Sequence, residues 1–383
     1  MITLSKIFRQ YGVEYLKKYG GSVTGEQKKA LFNMAGCGTG DLGRTGYRCK
    51  ECGKIHYVNK SCGNRHCPSC QNHKTGEWLA KQLESMLPCR YFMYTFTLPG
   101  CLRTAAECDP DIVYEAMFKA SSKALKELAE DGRFIGGRIG FTGVLHTWNR
   151  DKTYHPHIHY IVPGGGITED GFEWIPANKK LVVHTAPLAK MFRGKLVSIL
   201  EKQGILKKYN IPKSKLYKCK LVIDCMNAGN GRNVLKYLSN YVFRVAVTNN
   251  NIVKLEDNKV TFRYVKNGDK HYTYSSINAL KFMKLFLLHI LPSGFMKIRH
   301  YGFMSNRYRK ENIAKIRQQI DEYGYYEKKI IPVIEKIEED RENSKLKCPL
   351  CSGKMVFVGI KPPDSTNNHS CRKKIMTVKK YPP

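Results

Sequence analysis

The chain has 383 residues, 42% of them hydrophobic, with 65 Lys and Arg against 32 Asp and Glu and a formal net charge of +33. That length is enough for more than one core, and a charge this large points to a polyanionic partner, with nucleic acid ahead of an anionic membrane surface, because neutralising phosphates releases condensed counterions. No run of about 18 apolar residues is present to span a bilayer, and the opening MITLSKIFRQYGVEYLKKYGG is too polar for a secretory signal. The expectation is a soluble, cytoplasmic, nucleoid-associated protein with no membrane partner, in which 14 cysteines serve metal binding rather than disulfides.

Residues 1–34 read as helical and basic, with Ile7, Tyr11 and Tyr15 at helical spacing. A Cys/His-rich segment follows over 37–73. Within it, CKECGKIHYVNKSCGNRHCPSC holds two CxxC pairs, Cys49 with Cys52 and Cys67 with Cys70. Two such pairs suit one tetrahedral thiolate zinc site, closed and therefore structural. Cys37, Cys62, His56 and His66 are left over, either for a second site or for simple burial.

From Tyr91 the text changes to strand-like runs: YFMYTFTLP, GFTGVLHTWNR and YHPHIHYIV. A helix lies between the first two, started by Asp109 and Pro110 and stopped by Gly132. In the third run His155, His157 and His159 fall at every second position, so an extended strand would turn all three to one face. Pro156 cannot donate to a sheet ladder and marks a strand start or an edge. His157 and His159, flanking Ile158, are candidate ligands of a divalent ion that keeps open positions for a substrate. A glycine-rich loop follows, then a helix over 187–204, a strand in KCKLVIDC, and a glycine turn leading into a helix. That helix carries NVLKYLSNYVFRV, in which Tyr237 and Tyr241 share one face at i and i+4 among Lys236, Ser239, Asn240 and Arg244. KVTFRYVKNGDKHYTYS is a hairpin turning at Asn267-Gly268, and NALKFMKLFLLHILP an amphipathic helix. A charged, helical stretch begins at Arg307. Near the end, Cys348 and Cys351 with His369 and Cys371 form a candidate zinc ribbon.

Four collinear stretches resemble the two-tyrosine HUH transposases of rolling-circle insertion sequences. YRCKECGKIHYVNKSCGNRHCPSCQ is similar to that family's zinc domain, and LHTWNRDKTYHPHIHYIVPGGG to its histidine motif. YLSNYVFRVAVTNNNI is similar to its tyrosine motif, and FLLHILPSGFMKIRHYGFMSNRYR to its basic C-terminal signature.

The resemblance implies an α+β fold with an antiparallel sheet flanked by helices. It implies a zinc domain over residues 1–78, a nuclease domain over 79–305 and a basic, largely helical region over 306–383. It further implies His157 and His159 as ligands of Mg or Mn; the third ligand does not follow from the motif, and His155 and His146 are both candidates. Tyr237 and Tyr241 would form 5′-phosphotyrosine links to single-stranded DNA at element ends and target. Arg244, Arg299, His300, Arg307 and Arg309, with Tyr301 and Tyr308, would face DNA, and host replication proteins or a helicase would assist.

Two rivals remain at this stage. One is a replication initiator or relaxase of the same chemistry; the absence of a GxxxxGK loop removes only a helicase fused within these residues. The other is a non-catalytic zinc-containing DNA-binding regulator, which gives no reason for the histidine and tyrosine pairs together.

Overall fold

The computed structural model describes residues 2–71, 82–149, 151–171, 173–177, 181–230, 246–266, 269, 271–320, 331–332, 334–336, 339 and 346–363. Helix α1 (Leu4–Tyr19) starts where the Thr3 hydroxyl accepts from the Lys6 amide, and it ends on Lys17 and Lys18, which suit the negative end of its dipole. Helix α2 (Gly25–Ala35) opens on a capping box: Thr24 and Gln27 each accept from the other's backbone N–H. The buried face of α1 holds Ile7, Phe8, Tyr11 and Tyr15. Strands β1 (Arg44–Cys49) and β2 (Ile55–Asn59) follow as an antiparallel hairpin.

The centre of the molecule is a five-stranded antiparallel sheet. Its strands are β3 (Arg90–Thr97), β4 (Phe141–Trp148), β5 (Tyr154–Pro163), β8 (Ile223–Asn230) and β12 (Ile298–Tyr301), in the order β12-β4-β5-β3-β8. A small hairpin, β6 (Gly165–Ile167) with β7 (Trp174–Pro176), hangs off the end of β5. Helices α3 (Pro110–Glu130) and α4 (Thr185–Lys202) share one buried core with the sheet, built on Phe92, Tyr94, Phe96, Phe141, Leu145, Ile158, Tyr160 and Val162. The four phenols buried there keep partners: Tyr160 bonds Ser121 at 2.7 Å, Tyr154 bonds Tyr114, and Tyr94 donates to the Val183 carbonyl at 2.8 Å. Because side chains alternate along a strand, His157 and His159 of β5 and His146 of β4 are left on the other face.

Gly143 makes this packing close. It pairs with Tyr160 across β4 and β5, and a Cβ there would stand 2.8 Å from Tyr160 Cδ1. Gly143→Ala should therefore cost about 1–3 kcal/mol, as overpacking does; an unchanged melting temperature would contradict this.

Strand β8 differs from the sequence reading. KCKLVIDC was expected to be the strand and the glycines after it a turn. Instead residues Lys213–Lys218 form a short helix, and pairing with β3 starts at Ile223 and continues to Asn230. Gly229, at φ 72°, sits where the register shifts between Tyr91 and Phe92, so the glycine serves a bulge within the strand.

A second core joins α1 and α2 to the sheet β9 (Ile252–Glu256), β10 (Lys259–Val265) and β11 (Tyr272–Asn278), and to helix α5 (Ala279–Leu287). Phe8 meets Phe286 edge-on at 5.5 Å. The N-terminal helices are thus packed on residues far along the chain. The Asn267-Gly268 turn lies outside the described residues, although β10 and β11 pair as that hairpin requires. Helix α6 (Arg309–Ile320) follows β12, and β13 (Met355–Lys361) returns to pair with β1, giving the order β13-β1-β2. No helix among the described residues is long and apolar enough to cross a membrane.

Candidate active site and metal centres

Among the described residues, three groups of side chains could each hold a metal ion, with ligand atoms within 4.8 Å of one another. The first is His146, His157 and His159. Register builds it: His146 on β4 stands opposite His157 on β5, and His159 lies two residues further along the same face. The rings lie 4.6 to 5.5 Å apart by centroid.

Each strand neighbour helps to aim them. His157 donates from Nδ1 to the His155 carbonyl at 2.7 Å, which leaves Nε2 as the free lone pair. His159 Nδ1 meets the Thr95 hydroxyl of β3 at 3.0 Å, which fixes the orientation of its ring. Trp148 stacks on His146 at 5.3 Å. Behind them His289 joins Thr147 Oγ1 at 3.2 Å and the Lys152 carbonyl at 3.2 Å, and lies edge-on to Trp148.

Burial sets the protonation state. It pushes His157 down to about 4 and holds His159 well below the usual histidine range. Both are neutral at physiological pH, as metal ligands must be. Three imidazoles on a rigid sheet can take one divalent ion and leave part of its coordination shell open. The donor set fits manganese more readily than magnesium, which prefers oxygen.

The sequence left the third position open between His155 and His146. The structure groups His146 with the pair. His155 is half-buried, outside the cluster, and offers its carbonyl rather than its ring. The register between β4 and β5 breaks between His146 and Trp148, so the period-2 rule fails just there. Pro156 sits beside this break, inside a central strand; Leu98 bonds its carbonyl, and its missing N–H costs little.

The cysteines also regroup. The expectation of one site from Cys49, Cys52, Cys67 and Cys70 is corrected: the two CxxC pairs part company. Cys67 and Cys70 join Cys37 and Cys62. Cys37 lies 3.6 Å from both Cys67 and Cys70, and Cys62 lies 3.6 Å from Cys70, sulfur to sulfur. Four thiolates held about 2.3 Å from a tetrahedral zinc would stand about 3.8 Å apart, so this group fits a closed structural site. Cys49 and Cys52 lie instead with Cys348 and Cys351. His369 and Cys371, offered as ribbon ligands, lie outside the described residues.

His66 is not among the zinc-ligand candidates. Its Nε2 accepts from the Leu291 amide at 3.2 Å, and the neighbouring Arg65 caps the carbonyls of Pro292 and Phe295 at 2.6 Å each. These two side chains dock the cysteine segment onto the turn after α5, a role that needs the far end of the chain to be seen.

The basic residues separate as well. Arg299 was expected at DNA; it is bound to Glu115 at 2.6 Å and lies over the Phe118 ring at 4.2 Å, so it braces β12 against α3. His300 is engaged with Thr142 at 2.9 Å, and burial pushes it down to about 4. Arg307 is exposed beside Tyr308, at 5.1 Å from its ring, and Arg309 is half-buried. Tyr237, Tyr241 and Arg244 lie outside the described residues. Their flanks do not: Asn230 ends β8 in the sheet, and Ala246 and Val247 are buried in the second core, against which Trp148 packs.

Comparison with known proteins gives the class first. Residues 140–312, which include all three clustered histidines, match the family described as "Putative transposase". Residues 7–98 match the IS91 "Transposase zinc-binding domain". The chain is 33% identical over 335 residues to "Putative transposase y4qJ" of Sinorhizobium fredii, covering 82% of this chain and 83% of that one. It is 24% identical over 306 residues to the "Transposase for insertion sequence element IS801" of Pseudomonas savastanoi pv. phaseolicola, covering 75% and 72%. No solved structure matches. The chain belongs to the IS91 family of transposases, with an N-terminal zinc-binding domain and DNA as its substrate.

With DNA as the substrate, the two arginines should behave differently. Arg299→Ala should destabilise the fold by about 1–3 kcal/mol, since it removes the charged hydrogen-bond partner of Glu115 and uncovers Phe118, and should leave the salt dependence of DNA binding unchanged. Arg307→Ala should leave the melting temperature alone and lower the slope of log affinity against log salt by about 1. A thermal melt and a salt titration of each variant check both; the reverse pattern would contradict the assignment.

Proposed function

We propose that this transposase nicks and rejoins single-stranded DNA through 5′-phosphotyrosine intermediates, mobilising its insertion sequence by a rolling-circle route. The observation that carries the reading is the buried cluster of His146, His157 and His159, whose ligand atoms lie within 4.8 Å of one another. Bound there, Mg or Mn would polarise the scissile phosphate and orient it for in-line attack.

The rest falls to the chain. Tyr237 or Tyr241 attacks phosphorus through its phenolic oxygen; the P–O3′ bond breaks, and the phenol's proton leaves with the 3′-hydroxyl. One ester replaces another, so the bond energy is stored and no nucleotide cofactor is needed. A phenol near pKa ~10 is a poor nucleophile unaided, which is why a cation beside the phosphate matters. Two tyrosines allow two strands to be held at once, one from the element's end and one from the second end or the target.

Arg307 and Arg309 are the remaining basic candidates for DNA contact near β12 and α6, with Tyr308 offering a ring for base stacking. Opening of the duplex would come from host replication proteins or a helicase, at the nucleoid in the cytoplasm. The zinc-binding domain's packing against α5 suits recognition of element ends next to the cleavage site.

The test uses labelled single-stranded oligonucleotides that span the sequences flanking the protein's own gene, incubated with manganese. A covalent protein–DNA band on a denaturing gel, absent with chelator, is expected. Binding without any such band, in protein of confirmed fold and zinc content, would favour a DNA-binding regulator.

A further inference from the structure

We propose that Cys49, Cys52, Cys348 and Cys351 form a second zinc site, assembled from the two ends of the chain, which clamps the C-terminal strand into the N-terminal zinc-binding domain. Cys348 and Cys351 lie beyond both matched segments, which end at 98 and 312.

Three observations converge on it. The first is distance: Cys49 and Cys351 stand 3.4 Å apart, sulfur to sulfur, and Cys52 and Cys348 3.7 Å apart, across sequence separations of 302 and 296. This is the spacing of thiolates around one zinc, about 3.8 Å, and far from the roughly 2.05 Å of a disulfide.

The second is backbone shape. In CKECGK, the Cys49 amide donates to the Lys54 carbonyl at 3.0 Å, and the Gly53 amide to the Cys49 carbonyl at 3.1 Å. In CPLCSG, the Cys348 amide donates to the Gly353 carbonyl at 2.9 Å, and the Ser352 amide to the Cys348 carbonyl at 2.9 Å. The two loops thus carry the same pair of bonds at the same offsets. Each also turns through a left-handed residue directly after its second cysteine, Gly53 at φ 69° and Ser352 at φ 59°. Two matched knuckles facing each other are how paired CxxC motifs present four sulfurs to one ion.

The third is close approach. Strand β13 pairs with β1 so that Cys49 stands opposite Met355, and the Lys50 amide reaches the Lys354 carbonyl at 3.0 Å. A Cβ on Gly353 would come within 2.9 Å of the Cys49 sulfur and would collide with the Glu51 carboxylate. His56, on β2, places its Nε2 3.5 Å from the Cys348 sulfur, a suitable outer hydrogen bond to a bound thiolate.

The site has a consequence for the whole molecule. Its ligands come from the first and last described segments, so metal binding closes a loop around the nuclease core. Cys52 and Cys351 are exposed, whereas the Cys37, Cys62, Cys67 and Cys70 group is largely buried, so this clamp should release its zinc first.

Zinc content of the full-length protein, measured by elemental analysis under reducing conditions, tests the proposal. Two zinc ions per chain are expected. The Cys348→Ser/Cys351→Ser variant and a chain ending at residue 345 should each keep one, with the melt of the nuclease core preserved. Mild chelation should remove one ion from the wild type and free its C-terminal segment for protease, and should remove none from either variant. One zinc in wild type and variants alike would overturn the clamp. So would a non-reduced intact mass showing two disulfides in the zinc-loaded protein.

Discussion

His146→Ala should remove metal-dependent cleavage, while His155→Ala should leave most of it. Under the proposed chemistry His146 is the third imidazole of the ion's site, and the ion supplies several kcal/mol of charge stabilisation to the reacting phosphate. Three to four kcal/mol is roughly 10²–10³ in rate. The His155 ring stands outside the cluster, and what it contributes is a backbone carbonyl, which alanine retains. Thr95→Val should fall between the two. It leaves the ligands in place but takes away the hydroxyl that fixes His159, and outer partners of this kind are worth about 10–100-fold in metal affinity. The measurement is cleavage rate against manganese concentration. Comparable losses in the His146 and His155 variants would mean that the ligand set has been drawn wrongly.

The second large effect concerns the nucleophiles. The Tyr237→Phe/Tyr241→Phe double variant should form no covalent DNA adduct and should bind its oligonucleotide as the wild type does. Phenylalanine keeps the ring and loses only the attacking oxygen, so there is no partial activity to recover. Each single variant should still form one adduct and fail in joining two strands, because a lone tyrosine cannot hold both. A double variant that still forms the adduct would move the nucleophile elsewhere, and the chain has other tyrosines to search among its 23.

What the sequence showed and what it hid divide along physical lines. Periodicity is local, so the face shared by His157 and His159 and the opposite face of Ile158 and Tyr160 were both legible. The helix signals at Asp109-Pro110 and Gly132 were local too, and α3 runs over Pro110–Glu130. The choice of His146 over His155 was not local, because it depends on the register of β4 against β5 and on the break in that register. The cysteine grouping failed for the same reason. A CxxC spacing shows that two sulfurs act together, but which pairs share an ion depends on how β13 lies along β1, some three hundred residues apart. Arg299 looked like a DNA contact because its neighbours in sequence are basic and aromatic; Glu115 and Phe118, which hold it, belong to a helix far upstream. Strand β8 was placed too early because Gly229 was read as part of a turn, and a bulge needs a glycine for the same conformational reason.

The central claim is the covalent tyrosine intermediate, and the most direct measurement is its chemical identification. The adduct formed on a single-stranded oligonucleotide in manganese would be digested with protease and nuclease and the linked peptide sequenced by mass spectrometry. The account predicts a nucleotide joined through its 5′-phosphate to a peptide containing Tyr237 or Tyr241, with a free 3′-hydroxyl on the released strand. Cleaved DNA bearing an unlinked 5′-phosphate, or a link to any other residue, would contradict it.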